Sequence, residues 1–374
     1  MAASGRYQAL GLMSGTSADG IDAAILETDG LDDVVTGPAL SIPYPDDLQT
    51  KIRAAMTLAQ NWQAGTPMPP LLRDAERAIT HAHAAAIEEL MRREGLTARS
   101  VELIGFHGQT VLHRPQEQRT VQLGDGALLA SLVDIDVVCD FRSADVAAGG
   151  EGAPLVPLYH LARASGLELP LAVLNIGGVS NVTFIGRDRS LLAFDTGPGN
   201  GPLDDWAHRH LGKRMDEGGA LAKAGTVNAA ALGVLLANPY FVKRPPKSLD
   251  RLDFDLSSIQ ALSPEDGAAT LVTFTARAIG EARQHLPEAP LRWLVTGGGR
   301  HNPTLMESLR GVLGVPVEPV EAVGWRGDTL EAEAFGYLAV RSLKGLPLTL
   351  PTTTGVSAPH TGGVLHRKPS ALLI

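Results

Sequence analysis

Five stretches of this chain gather residue types able to handle phosphate, protons or a carboxylate. The first is Gly11-Leu12-Met13-Ser14-Gly15-Thr16-Ser17-Ala18-Asp19-Gly20-Ile21-Asp22, set between apolar runs at 7–12 and 21–26, a strand-turn-strand pattern. Its glycines let backbone N–H groups approach an oxyanion, Ser and Thr add hydroxyl donors, and Asp19 or Asp22 can hold Mg²⁺ through water. Alone, such a turn reads better as a polar hairpin. Two further glycine-rich loops at strand ends reverse that: Asp195-Thr196-Gly197-Pro198-Gly199-Asn200 and Thr296-Gly297-Gly298-Gly299-Arg300-His301-Asn302. The second of these follows a strand and opens a helix, where N–H groups suit a phosphate. Neither loop has the Gly-Lys-Ser/Thr of a Walker motif or a clean dinucleotide fingerprint.

Asp195 caps a predicted strand and is read as a general base, the alternative being an Asp that only receives turn N–H groups. Asp140-Phe141-Arg142, followed by Asp145 and the glycine run 149–152, puts a second polar cluster between a strand and a helix. Arg142 there can grip a carboxylate with two N–H bonds. Phe106-His107-Gly108-Gln109-Thr110 reads as a further strand end, and His107 as either a satisfied structural histidine or a substrate contact. Other chemistries fail on spacing. His81 and His83 cannot share a helix face, no His-Glu-x-x-His occurs, one cysteine cannot complete a zinc set, and no Gly-x-Ser-x-Gly elbow is present.

These residues need a frame. Apolar periodicity predicts strands at 7–12, 21–26, 34–42, 101–106 and 137–141, and helices at 47–59, 71–94 and 127–133. The pattern restarts near 171 with strands at 172–176, 182–185 and 191–194. Helices follow at 201–210, 227–236 and 266–285, then a strand at 291–296, a helix at 303–312, a strand at 315–319 and a helix at 329–343. Strands alternating with helices require parallel pairs. The restart reads as one duplication of a three-strand-then-α/β unit, predicting two like domains across a cleft: 1–165 with 329–374, and 166–328. The proline-rich segment 238–254 is expected to be a surface excursion or lid, and the tail after Leu346 to be irregular.

With 374 residues, two domains are the natural expectation. A net charge of −9 without a Lys/Arg cluster argues against nucleic-acid or membrane partners. Cys139, in an apolar run, is expected to be a buried, unreactive thiol. No apolar run reaches the length of a membrane span and no secretory leader is evident, so a cytoplasmic location is expected.

Together these motifs resemble the anhydro-N-acetylmuramic acid kinase family over roughly residues 7–345. The resemblance is carried by the 11–22 opening, Gly105-x-His107-Gly108-Gln109-Thr110, Asp140-Phe141-Arg142 with the 149–157 segment, Leu174-Asn175-Ile176-Gly177-Gly178, the 194–200 loop and Gly297-Gly298-Gly299. It implies an α/β protein of two RNase H-like (actin-like ATPase) domains facing each other across a cleft. It further implies ATP with Mg²⁺, an amino-sugar substrate, hydrolysis of the 1,6-anhydro bond coupled to phosphorylation of O6, and a role in cell-wall recycling. It leaves room for a homodimer.

By the matched motifs, Gly15, Thr16, Ser17, Ala18, Asp19, Gly20, Ile21 and Asp22 bind ATP phosphates, with Asp19 and Asp22 toward the metal. Gly297, Gly298 and Gly299 complete the nucleotide site. Asp195 is the catalytic base, and His107, Gln109, Thr110, Asp140, Arg142 and Glu331 face the sugar. The chain departs from the family at Lys247-Ser248-Leu249-Asp250-Arg251-Leu252, where Lys-Ser-Thr-Gly-Arg-Glu is common, at Glu151, where Gln is common, and at Gly201 and Pro202, which replace larger residues. Two rival readings share the motifs: an Hsp70- or actin-like ATPase that drives binding, and a kinase for an ordinary hexose with a free 6-hydroxyl.

Overall fold

The computed structural model describes residues 5–15, 17–63, 66–249 and 254–369. The chain divides into two compact units, Met1–Ser165 with Thr329–Ile374, and Gly166–Asp328. In chain order the strands are β1 Tyr7–Ser14, β2 Gly20–Thr28, β3 Val34–Pro43, β4 Leu103–Arg114, β5 Arg119–Leu123, β6 Val137–Cys139, β7 Leu171–Ile176, β8 Val179–Ile185, β9 Leu191–Pro198, β10 Arg292–Thr296, β11 Val317–Pro319 and β12 Val364–His366.

In the first unit the sheet runs β12-β6-β4-β1-β2-β3, with β5 added to β4. The pairs β1–β2 and β2–β3 are antiparallel, while β1–β4 and β4–β6 are parallel. In the second unit the order is β11-β10-β7-β8-β9, with β7–β8 and β8–β9 antiparallel and β7–β10 and β10–β11 parallel. The path β6-β4-β1-β2-β3 of the first sheet matches β11-β10-β7-β8-β9 of the second with the same pair directions, and the first sheet adds β5 beside β4 and β12 beside β6. Five strands therefore recur in the same order in the two units, the repeat expected from the restart near 171, and both units are α/β with mixed sheets.

Each sheet has its own core. Leu10, Leu12, Ile104, Phe106 and Val137 pack against Ile52, Ile79 and Ile87 of the helices Asp46–Ala59 and Pro70–Glu94. In the second unit Leu174, Val182, Phe194, Trp293 and Val295 pack against Leu271, Phe274 and Ile279 of the helix Pro264–Ala282. Cys139 is buried in β6, and burial pushes its thiol up to about 12, the inert state expected for it.

The helix Leu330–Leu343 lies directly on β1 and β4, an approach that only glycine permits. A Cβ on Gly11 would sit 1.7 Å from the carbonyl oxygen of Ala332, and one on Gly105 2.0 Å from that of Phe335. Gly11→Ala is therefore expected to cost about 3 kcal/mol and to lower Tm by roughly 6–12 °C. Gly15→Ala, whose Cβ meets nothing nearer than Ser17 Oγ at 3.6 Å, should leave Tm unchanged. Calorimetry on the two variants checks the contrast, and a Gly11→Ala protein melting with wild type would show that the helix can shift at no cost.

Two expectations need correction. The tail is not irregular: it makes a short helix, Pro351–Thr354, and β12, which pairs antiparallel with β6. β12 has only three residues, too few for alternation to reveal it. Nor are the described residues of the 238–254 segment, 238–249 and 254, a bare surface excursion. The segment begins with a 3₁₀ turn, Pro239–Val242, and buries Phe241 and Lys247, with Phe241, Phe254 and Phe274 in mutual ring contact. Prolines mark the turns correctly, but aromatic packing ties them down.

Candidate active site

The turn between β1 and β2 stands on a buried polar chain. Tyr44 Oη, at the end of β3, donates to Ser14 Oγ (3.0 Å), Ser14 Oγ donates to Gln109 Oε1 (2.5 Å), and Gln109 Nε2 donates to the carbonyl of Gly15 (2.9 Å). Burial, opposed by Ser14, drives the Tyr44 hydroxyl upward, with Asp19 and Asp22 adding to the rise. It remains a neutral donor. Gln109 thus holds the loop from beneath. Ala18 takes a left-handed φ of 53°, and its N–H closes a turn on the Gly15 carbonyl (3.1 Å), a strained conformation of the kind found at ligand loops. Ser17 donates to Asp19 (2.9 Å), and Asp22 accepts from Ser41 (2.5 Å). Asp19 is exposed and Asp22 half-buried, and Gly20 and Ile21 begin β2. Thr16 lies outside the described residues.

His107 is not at a strand end, because β4 continues to Arg114. The irregularity that suggested an end is real: the β1–β4 register slips beside His107, and Gly108 has φ 72°. His107 Nδ1 lies 2.8 Å from the Gly108 carbonyl and so carries the proton, which leaves Nε2 to accept from Arg142 Nε (3.2 Å) and Nη2 (3.0 Å). Burial, then the Arg142 charge, hold the imidazole well below its usual pKa. It is a neutral acceptor.

Arg142 Nη1 also donates to the Gly152 carbonyl (2.7 Å). Three of its five N–H groups are thus engaged within the first unit, and among the described residues one on each terminal nitrogen has no assigned acceptor. Burial lowers the guanidinium to about 10, opposed by Glu331 and Asp145, so it stays charged at neutral pH. Glu331 opens the helix seated on Gly11 and Gly105; burial raises its pKa and Arg142 opposes the rise. Asp140 is left-handed at φ 54° and its Oδ1 accepts from the Ser143 N–H (3.2 Å), capping the turn into Ser143–Ala147. Thr110 Oγ1 accepts from Gln122 (3.3 Å). His107, Arg142 and Glu331 therefore form one cluster, Gln109 supports the turn between β1 and β2, and Thr110 points into the β4–β5 pair.

In the second unit Asp195 lies inside β9 and does not cap it, since β9 runs on to Pro198. The strand reading is recovered in another form: the β8–β9 register breaks between Ser180 and Asn181, with Asn181 opposite Asp195 and Ser180 opposite Gly197. A bulge of this kind re-aims a side chain. Asp195 Oδ2 accepts from the Leu249 N–H (2.9 Å). The loop that follows is stitched to the Gly177-Gly178 turn, with the N–H groups of Gly199 and Asn200 donating to Gly178 (3.0 Å) and Gly177 (2.7 Å). Gly297 has φ 76°, and a Cβ there would sit 2.3 Å from Asn175 Oδ1. Buried Arg300 clamps this loop, bonding the Gly297 carbonyl (2.9 Å), Glu321 (3.0 Å) and Asp328 (2.6 Å). Gly298 is exposed and uncrowded.

Tyr44, Tyr240 and Lys247 escaped the sequence reading as site residues. Tyr44 carries no local signal, because its role depends on β3 lying beside β2. Lys247 was noticed only as part of a departure from a motif.

A model of the anhydro-N-acetylmuramic acid kinase family matches residues 7–368. The chain is 54% identical over 361 residues to the anhydro-N-acetylmuramic acid kinase of Paramagnetospirillum magneticum, covering 96% of this chain and 99% of that one. It is 54% identical over 363 residues to that of Rhodospirillum rubrum, covering 96% and 94%. Among solved structures it is similar to component A of the (R)-2-hydroxyglutaryl-CoA dehydratase of Acidaminococcus fermentans, at 13% identity, 90% and 99% coverage and a TM-score of 0.48. With a matched span that takes in each loop described above and half of all positions shared with such relatives, the chain belongs to the anhydro-N-acetylmuramic acid kinase family.

Proposed function

We propose that this chain is an ATP-dependent kinase that opens the 1,6-anhydro ring of 1,6-anhydro-N-acetylmuramic acid and phosphorylates O6, giving N-acetylmuramate 6-phosphate and ADP in peptidoglycan recycling. The observation that carries the reading beyond family membership is the state of Arg142: a charged guanidinium held by a neutral His107, with an N–H left on each terminal nitrogen. That arrangement suits a bidentate carboxylate such as the lactyl group of the sugar. An ordinary hexose has no such anion.

The substrate has no free 6-hydroxyl, which fixes the chemistry. Asp195 takes a proton from water as the water oxygen bonds to C1. The C1–O6 bond breaks, O6 takes the γ-phosphoryl group, and ADP leaves. Phosphoryl transfer asks for positioning and charge neutralisation more than covalent help, so one carboxylate suffices. On the matched motifs, the turn after β1 in the first unit and, separately, Gly297–Gly299 in the second are read as nucleotide loops. Asp19, exposed on the turn, and Asp22, half-buried at the start of β2, would hold Mg²⁺, since Mg²⁺ is typically bound by one or two carboxylates plus substrate phosphates. When bound, the metal neutralises phosphate charge. Among the described residues no single helix is long and apolar enough to cross a membrane, and dependence on ATP favours the cytoplasm.

The test is ADP release with anhydro-N-acetylmuramate against N-acetylmuramate, glucose and no sugar, run also in ¹⁸O-water and quenched before the anomeric centre exchanges. Turnover only with the anhydro sugar, with label at C1 and none in the phosphate ester, is the expected result. Label in phosphate would mean that water attacked phosphorus and that the chain is an ATPase of the binding-module kind.

A further inference from the structure

Lys247 is 3% exposed, a rare state for lysine. Its ammonium folds back onto its own segment, donating to the carbonyls of Tyr240 (3.0 Å) and Phe241 (3.5 Å). It stands 4.4 Å from the ring centre of Tyr240 and 5.6 Å from that of Phe194, the residue before Asp195. The segment closed by these contacts is the one that grips Asp195. The Asp195 N–H donates to the Lys247 carbonyl (3.1 Å), Tyr240 Oη donates to the Asp195 carbonyl (2.6 Å), and the Leu249 N–H donates to Asp195 Oδ2 (2.9 Å). Backbone on both sides and one carboxylate oxygen are thereby fixed from residues 240–249.

We propose that Lys247 is a positioning residue for Asp195, its buried ammonium locking the 240–249 segment into the shape that orients the carboxylate. The inference rests on Asp195 being the base. It gives the turn-rich segment a function in the second unit that needs no lid movement. The groups facing the ammonium are Asp195, Lys243 and His285, the last at 3.4 Å. Burial, then Lys243, lower the lysine to about 8 against the pull of Asp195. A lysine so lowered is charged below that pH and neutral above it, so the lock weakens as pH rises through about 8.

The experiment compares wild type, K247M, K247R, Y240F and D195N by kcat, by KM for sugar and for ATP, and by pH profile from 6 to 10. K247M is expected to lose about ten- to a hundredfold in kcat, the effect of a small misplacement at the reacting centre, with KM for ATP unchanged. The wild-type fall in kcat near pH 8 should vanish in K247M and move to higher pH in K247R, which keeps its charge. Y240F, which loses one tie to Asp195 but keeps the ammonium, should lower kcat and retain the alkaline limb. A K247M enzyme with wild-type kcat and an unmoved limb, differing only in Tm, would overturn the proposal. If K247M does not fold, an unaltered kcat in Y240F overturns it. D195N separates the two readings: if D195N stays active the base assignment has failed, whereas a dead D195N beside a fully active K247M fails this inference alone.

Discussion

Asp195→Asn is expected to lower kcat by about 10² to 10⁴, the range for losing a general base, while nucleotide binding and Tm stay at wild-type values. The reasoning separates geometry from proton affinity. An asparagine oxygen can still accept from the Leu249 N–H, which reaches Asp195 Oδ2 at 2.9 Å. The backbone ties to Lys247 and Tyr240 do not involve the side chain. The bulge in β9 and the loop after it therefore persist, while the carboxylate charge and with it the ability to take a proton from water are removed. Steady-state kinetics with the anhydro sugar, alongside nucleotide titration and calorimetry, measure this. A mutant retaining a tenth of the wild-type rate would remove Asp195 from the chemistry, leaving it as a receiver of turn N–H groups.

Arg142→Lys is expected to raise KM for the sugar by about 10- to 100-fold with little change in KM for ATP. Hydrogen bonds to charged groups contribute about 1.5–3 kcal/mol, and each 1.4 kcal/mol is about tenfold in affinity. A lysine ammonium cannot serve His107 Nε2 and the Gly152 carbonyl together as the guanidinium fork does, and it cannot also present two parallel N–H groups. Because burial lowers Arg142 only to about 10, its charge is intact from pH 6 to 8, and sugar KM should not vary with pH through this residue in that range. If the substitution moves Tm but not sugar KM, the guanidinium is an internal tie for His107, Gly152 and Glu331, and the anion must be bound elsewhere.

The sequence by itself determined the order of strands and helices shared by the two units and the positions of the glycine loops, because each is written in local spacing. Strand and helix periods are properties of neighbouring residues, and a glycine at a tight turn announces itself wherever the chain goes. Asp195, Arg142 and Asp140 were candidates for the same reason: each adjoins a glycine loop or a strand-to-helix turn. Tertiary structure alone decided the partners. Gly11 and Gly105 are about 94 positions apart, and only the seating of the helix Leu330–Leu343 on both explains why neither can carry a side chain and why Glu331 arrives beside Arg142. Tyr44 and Gln109 support the first loop from strands that meet it through the sheet. His107 became a neutral acceptor because a guanidinium 35 residues away settles against it. Lys247, which the sequence showed only as part of a departure from a motif, is buried because Tyr240, Phe241 and Phe194 close around it. Hydrogen-bond partners and burial depend on which distant surfaces meet, and that is set by packing, to which local spacing is blind.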